Sequence, residues 1–295
     1  MKVLSLPNGV HHGIAPADYH GLPGCSKSML DKLRLSPATL RDWLDNPEAE
    51  EKKDSLTLGS AIHCAVLEPD QFAKRFAVAP DVSGATKEGK AFKVAAESKG
   101  LTVVRAGDAR WIEAIARRVR ANKTVKDWLA DTTRCIELTV IWERDGFVCR
   151  ARPDLVLPLN GLVVDLKTTR KTMEDFPSDI AQYRLHWQAA WYLDGLEAAT
   201  KTPWDRFVFI AAHKARPYLV SLHEIVRGDK AFVRGQREVG EMFDRYVECC
   251  KSQRWPGYPE EAQPVVLPKW AVGSADETDN DAAGWSGGDE SFDSI

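Results

Sequence analysis

Apolar and polar positions follow two rhythms along this chain, and the change falls near Cys135. Before it, spacings of three and four residues predict helices. Ser26 caps the run Lys27-Ser-Met-Leu-Asp-Lys-Leu-Arg-Leu35, which stops before Pro37. A second short helix is predicted over 37–44, ended by Asn46-Pro47, and a third over about 57–67, ended by Glu68-Pro69. Residues 76–79 read as a short strand, and 81–90, rich in Gly, Lys, Ser and Thr, as a mobile loop. Helices are expected near 89–98 and 108–130. In the second, Ile112, Ile115, Ala116 and Val119 share one face, opposite Arg110, Arg117 and Arg120. Residues 1–25 hold little regular pattern.

From Cys135 the period shortens to two. Strands are predicted over 135–143, over 147–157 after the Asp145-Gly146 turn, and over 162–168. A helix over 179–196, strands over 206–212 and 217–225, and a long helix near 229–251 complete the order. No internal repeat is present.

Chemistry concentrates in Arg150-Ala-Arg-Pro-Asp154-Leu-Val-Leu-Pro-Leu-Asn-Gly-Leu-Val-Val-Asp165-Leu-Lys167. Two β-branched runs flank a Pro158-Leu-Asn-Gly161 turn, which predicts a β-hairpin. Alternation along a strand puts Asp165 and Lys167 on one face and Leu162, Val164 and Leu166 on the other. Pairing symmetric about the 159/160 bond sets Asp154 opposite Asp165; a slip of two sets it opposite Lys167. Either register gathers three charged groups on one side. Two carboxylates opposed at about 5 Å repel unless a cation lies between them. A divalent metal with hard oxygen ligands suits that place, and the chemistry expected is that of a metal-dependent phosphodiesterase. The plainer reading is a solvated strand face.

Other candidates depend on this hairpin. Gly59 and His63 stand i, i+4 on the third helix, where Gly59 is expected to let a neighbour approach; His63 is a core histidine or a metal ligand. Glu137 opens the strand expected to pair with 147–157 and adds a carboxylate to a metal shell or lies in solvent. Gln188 and Tyr192, i, i+4 on the helix after the hairpin, orient substrate or Lys167, or form the polar edge of an amphipathic helix. Gly84-Ala-Thr-Lys-Glu-Gly-Lys-Ala91 approaches a phosphate-binding loop but has Ala91 where the magnesium-binding hydroxyl belongs.

Charge changes the picture once its distribution is considered. The 295 residues carry a formal net charge of −3, with 44% hydrophobic and 28% charged residues, ordinary for a soluble protein. Seven acids and no Lys or Arg follow Lys269, so the rest holds 40 basic against 36 acidic residues, a net of +4 that permits DNA binding. Lys87 and Lys90, Arg117 and Arg120 on the long helix, and Arg150 and Arg152 beside the hairpin are the candidate backbone contacts. The six cysteines lack CxxC spacing and read as reduced packing residues. No run reaches membrane-spanning length and no secretory signal begins the chain, so the cytoplasm is the expected compartment.

With Gly59-x-x-x-His63, Glu137, Pro153-Asp154, Asp165-x-Lys167 and Gln188-x-x-x-Tyr192 in that order, the chain resembles the PD-(D/E)XK nuclease superfamily, in its His-containing branch. It looks most like the RecE-type exodeoxyribonuclease (exonuclease VIII) catalytic domain of phages and prophages. Ser26-Lys-Ser-Met-Leu, Leu58-Gly-Ser-Ala-Ile-His-Cys-Ala-Val-Leu-Glu-Pro, Cys149-Arg-Ala-Arg-Pro-Asp, Val164-Asp-Leu-Lys-Thr-Thr169 and Leu267-Pro-Lys-Trp270 extend the likeness from about Ile14 to Trp270.

The resemblance implies an α/β, restriction-endonuclease-like core: a central mixed β-sheet flanked by helices. It implies a single nuclease domain over 1–270, with a helical N-terminal part at about 14–130, a catalytic sheet at about 135–225 and a C-terminal helix at about 229–251. A disordered acidic tail over 271–295 follows. It also implies 5′-to-3′ degradation of one strand of linear duplex DNA, with Mg²⁺ as cofactor and Mn²⁺ substituting. DNA ends, a single-strand annealing protein and further copies of the chain in a ring are the implied partners. His63, Asp154, Asp165 and the Leu166 carbonyl are the expected metal ligands and Lys167 the cation at the phosphate, with Glu137, Gln188 and Tyr192 beside them. A structure-selective or site-specific endonuclease, a silent DNA-end scaffold and a nucleotide hydrolase using residues 84–91 are the alternatives.

Overall fold

Capping serines and a change of hydrophobic period set out the first half of the molecule as short helices. A computed structural model describes residues 5–46, 54–81 and 84–267. The chain divides into two units, Met1–Gly257 and Tyr258–Ile295. In chain order the first unit opens with β1 (Gly9–His11), α1 (Pro16–Gly21), α2 (Lys27–Leu35), α3 (Pro37–Asp45), α4 (Asp54–Leu67) and α5 (Phe72–Arg75). β2 (Phe76–Val78), α6 (Lys87–Glu97), β3 (Thr102–Val104), α7 (Ala106–Ala121) and α8 (Lys123–Ala130) follow. Ser26 accepts from the Met29 N–H and Ser36 from the Thr39 N–H, so α2 and α3 start where their sequence dictates. Each such cap stabilises by about 1 kcal/mol.

The second half holds β4 (Cys135–Ile136), β5 (Thr139–Arg144), β6 (Phe147–Ala151), β7 (Leu155–Leu157), β8 (Leu162–Thr169), α9 (Phe176–Gln182) and α10 (Leu185–Thr200). It ends with β9 (Arg206–His213), β10 (Val220–Val226) and α11 (Lys230–Ser252). The central sheet has the order β10-β9-β8-β7-β4 and is mixed: β8 and β9 run parallel, joined by the α9–α10 crossover, and the other pairs are antiparallel. β1, β5 and β6 form a second, antiparallel sheet, and β2 pairs with β3 in parallel.

Helices cover both faces of the central sheet, which explains why β8 reads as a nearly continuous apolar run. Val156, Val163, Phe207 and Phe209 belong to one core with Trp187, Trp191 and Phe243 of α10 and α11. Leu155, Leu162, Val164, Leu166 and Ile210 belong to another with Ile62, Ile112, Ile115 and Val119 of α4 and α7. Full burial of each such side chain stabilises by roughly 1.5–3 kcal/mol. α11 approaches α10 closely at Gly235, where a Cβ would run into the His186 carbonyl oxygen.

Several expected elements are divided or new. The 135–143 strand breaks at Glu137, whose φ is +52°, and the 147–157 strand breaks at Arg152-Pro153-Asp154. Each long strand thereby passes between the central sheet and the sheet of β5 and β6. The 108–130 helix is two, because Asn122 leaves helical geometry and caps α8. The 179–196 helix divides at Arg184, with φ +51°. α6 starts at Lys87, inside the segment expected to be a loop, under a Thr86 cap. β1 and α1 occupy the N-terminal stretch that showed no pattern.

Described residues 258–267 of the second unit hold no helix or strand. The expected tail over 271–295 lies outside the described residues. Among the described residues no helix is long and apolar enough to cross a membrane.

Candidate metal centre and nuclease site

The β7–β8 hairpin and the residue just before it supply the first two acids. Its ladder pairs Leu155 with Val164, Val156 with Val163 and Leu157 with Leu162, around Pro158–Asn160 and a left-handed Gly161. That register is symmetric about the 159/160 bond, and its next step sets Asp154 opposite Asp165. Both carboxylates are buried. The Leu166 N–H donates to Asp154 Oδ2 at 2.7 Å, and His63 Nδ1 lies 3.2 Å from the same oxygen. Asp165 is held differently: Lys167 forms an ion pair with its Oδ2, and Gln188 Nε2 donates to its Oδ1. Oδ2 is buried, and the Lys167 ammonium meets it both as a charge and as a hydrogen-bond donor.

The strand break supplies the third acid. The Glu137 N–H donates to the Asp154 carbonyl at 2.9 Å, which fixes the kinked backbone beside the hairpin. Arg152 Nε donates to Glu137 Oε2 at 2.6 Å. One ligand atom each from His63, Glu137 and Asp154 lies within 4.8 Å of the others. Three carboxylates therefore face three cationic groups: His63, Lys167 and Arg152.

The proton affinities follow from that crowding. Burial opposes charge on His63, but Asp154 and then Asp165 outweigh it and raise its pKa to about 9. Burial and the neighbouring Asp154 carboxylate raise Asp165. Burial also opposes ionisation of Asp154, yet His63, Lys167 and the Leu166 N–H hold it below the ordinary carboxylate range. Burial disfavours charge on Lys167, and Asp165 and Asp154 reverse that. Glu137 is raised by burial and by Asp154. Burial raises the Tyr192 phenol well above its usual value, so it stays protonated.

An imidazole nitrogen and hard carboxylate oxygens at one point fit a divalent ion such as Mg²⁺ or Mn²⁺. His63, Glu137 and Asp154 could hold it, and Asp165 is a further donor.

Other expected residues lie elsewhere. Arg150 is not a surface contact: it is buried, its Nη1 donates to the Tyr19 carbonyl, and its guanidinium lies 5.0 Å from the Tyr19 ring centroid. Arg152 is likewise withdrawn from solvent, bonded to Glu137 and to the Ile14 carbonyl at 2.9 Å. Arg117 and Arg120 are exposed on α7, where Arg117 pairs with Glu113, and Lys87 and Lys90 are exposed on α6. Gly59 serves no close approach, because a Cβ there would meet nothing within 4 Å. The 84–91 segment is not a phosphate-binding loop: α6 begins within it, and β2 ends at Val78, well before Gly84.

Sequence patterns missed Lys27. In the first turn of α2 it pairs with Asp31 at 2.8 Å and donates to the Tyr183 carbonyl at 3.4 Å, within electrostatic reach of Lys167 and Asp165. Its only sequence signal was the Ser26-Lys-Ser stretch.

The model of the PDDEXK-like domain of unknown function (DUF3799) matches residues 26–267, a span that includes every member of this cluster. The chain belongs to this family. Among solved structures, a candidate exonuclease from Eubacterium rectale is similar over 90% of this chain and 100% of its own, with 12% identity and a TM-score of 0.60. That likeness establishes the shared fold. A phage-related exonuclease from Haemophilus somnus 129PT has 11% identity over 77% of this chain and 94% of its own, with a TM-score of 0.35. An alkaline exonuclease from Laribacter hongkongensis has 14% identity over 63% and 97%, with a TM-score of 0.27. Scores that low carry no structural argument. Among curated proteins none matches this chain significantly. As a PDDEXK-like domain, the chain places its Pro153-Asp154 just before β7 and its Asp165-x-Lys167 on β8.

Proposed function

We propose that this PDDEXK-like protein is a Mg²⁺-dependent exodeoxyribonuclease of the RecE type. It degrades one strand of linear duplex DNA from an end, 5′ to 3′, and leaves single strands for phage or prophage recombination. The observation that carries this reading is the meeting of His63, Glu137 and Asp154 beside the Asp165–Lys167 pair. Mn²⁺ replaces Mg²⁺. Copies of the chain assemble into a ring around the duplex, and a single-strand annealing protein takes up the product.

His63, Glu137, Asp154 and Asp165 hold the ion, with the Leu166 carbonyl as a further ligand. A bound divalent ion supplies Lewis-acid polarisation of the scissile phosphate and a lowered pKa for the attacking water. Lys167, anchored on Asp165, offers a cation to the charge that develops on the phosphate oxygens. Gln188 fixes the other Asp165 oxygen and so keeps the ammonium aimed. Tyr192 remains a neutral hydrogen-bond donor. Arg152 orients Glu137 without touching substrate. Because the N–H of Leu166 spans to Asp154, Asp154 and Asp165 cannot separate without breaking a buried bond.

Digestion of linear duplexes labelled at either end, with Mg²⁺ and with EDTA, tests the reading. Release of the 5′ label first, loss of cleavage in EDTA and survival of circular duplex are expected. Cleavage of circles at the same rate makes the protein an endonuclease, and no cleavage of any DNA removes the reading.

A further inference from the structure

We infer that the duplex backbone beyond the scissile phosphate is held by a cationic rim made of Arg170, Lys171, Lys214 and Arg216, where the parallel strands β8 and β9 end. The inference rests on the nuclease reading and deepens it by naming the surface that receives DNA.

Three observations converge on the rim. First, topology: β8 carries Asp165 and Lys167 and then runs to Thr169, while β9 runs beside it with Lys167 opposite Ala211 and Thr169 opposite His213. In open α/β sheets the ground outside the carboxyl ends of parallel strands is where ligands meet the protein. Second, rigidity: the two loops are stitched together. The Lys214 N–H donates to the Thr169 carbonyl at 2.8 Å. His213 accepts from the Ala215 N–H through Nδ1, which leaves Nε2 to donate to the Arg170 carbonyl at 3.1 Å. Trp111 Nε1 and Arg118 Nε, both on α7, donate to the Lys214 and Pro217 carbonyls.

Third, charge: among the described residues none of the four rim side chains has an ion-pair partner, and Arg170, Lys171 and Arg216 are exposed, with Lys214 half-buried. Among the described residues the two acids of the same loop, Glu174 and Asp175, form no ion pair with them, and Asp175 accepts from the Thr172 hydroxyl. α7 differs, because its Arg110 lies near Asp81 and its Arg117 near Glu113.

Distance fits as well. Arg170 follows Lys167 by three residues, about 10 Å along an extended chain. Successive nucleotides of one strand rise by about 3.4 Å and also wind around the duplex, so the rim meets the phosphates next to the site of cleavage.

The test is equilibrium binding of fluorescent duplex DNA in EDTA over a range of salt, for the wild type, R170Q/K171Q, K214Q/R216Q, their combination, and R110Q/R117Q as a control. Each lost phosphate contact flattens the log K against log salt slope by about 0.9. The combined variant should lose roughly two to four of slope and at least about tenfold in affinity, each pair about half of that slope, and the control little. Either rim pair retaining the wild-type slope, or a wild type that binds no duplex, overturns the inference.

Hydrolysis of bis(p-nitrophenyl) phosphate with Mn²⁺ separates the two readings, since this small ester cannot reach the rim. Equal rates for the wild type and the combined variant, together with weakened DNA binding, support the rim. A wild type that cleaves neither this ester nor linear duplex sinks the catalytic reading while the binding comparison still decides the rim.

Discussion

The β7–β8 hairpin and the break at Glu137 and Arg152-Pro153-Asp154 lie side by side and could hardly differ more in how they are built. The hairpin is regular: its ladder is continuous, its turn residues suit their dihedrals, and both its faces are buried. The break has a glutamate at φ +52°, a proline without an N–H, and two strands changing sheets. A non-glycine residue held there costs of order 1–3 kcal/mol, and it persists because the Asp154 carbonyl and Arg152 over-determine it. The regular region fixes where Asp165 and Lys167 point. The irregular one brings in a third carboxylate that a continuous ladder would have directed elsewhere.

If that division holds, variants in the hairpin should affect chemistry most. Asp165→Asn is expected to lower DNA cleavage by about 10²–10³-fold or more, measured at saturating DNA, while circular dichroism stays that of the wild type. Unchanged cleavage in the folded variant would remove the proposed site. Lys167→Gln should fall in the same range.

Variants at the break should act first on the ion. Glu137→Gln is expected to weaken Mn²⁺ binding by about 10–100-fold, and Arg152→Gln, which acts through Glu137, by less. For the wild type, saturating Mn²⁺ at about 100 times its Kd should add about 2.7 kcal/mol of stability, read as a rise in Tm, and EDTA should abolish it. An equal rise in Glu137→Gln would mean that the break contributes no ligand.

The smallest effect is a control outside both regions, on α11. Glu238 accepts from Trp187 Nε1 at 2.7 Å, Arg234 Nε at 2.7 Å and His186 Nε2 at 3.0 Å. Burial alone would raise its pKa, but these hydrogen bonds bring it down to about 2, against an ordinary 4.5. The stabilisation is therefore complete above pH 4.5 and is lost as pH falls toward 2. Because the side chain is partly exposed, its size is about 1 kcal/mol. Glu238→Gln should flatten the acid limb of stability in that window and leave cleavage near neutrality unchanged.

The same contrast explains what the sequence disclosed. The hairpin was readable because its determinants are local: alternation, a Pro-Leu-Asn-Gly turn and an even loop fix the register. The cap at Ser26 and the helix starting at Pro37 were readable for the same reason. The break was not, since nothing near Glu137 signals a positive φ in a β-branched, apolar run. Arg150 and Arg152 looked like surface cations because a charge gives no hint that an aromatic ring and backbone carbonyls from residues 14–20 will cover it. His63 and Lys27 reach the site only through packing of helices far away in sequence. The family resemblance put His63 and Glu137 in order along the chain, but only the fold brings their side chains within 4.8 Å.

Titration calorimetry with Mn²⁺ tests most directly whether the two regions form one centre. Saturable binding by the wild type, weakened at least about tenfold by Asp165→Asn on the hairpin and again by Glu137→Gln at the break, is the predicted result. Binding of equal strength in all three proteins would contradict it.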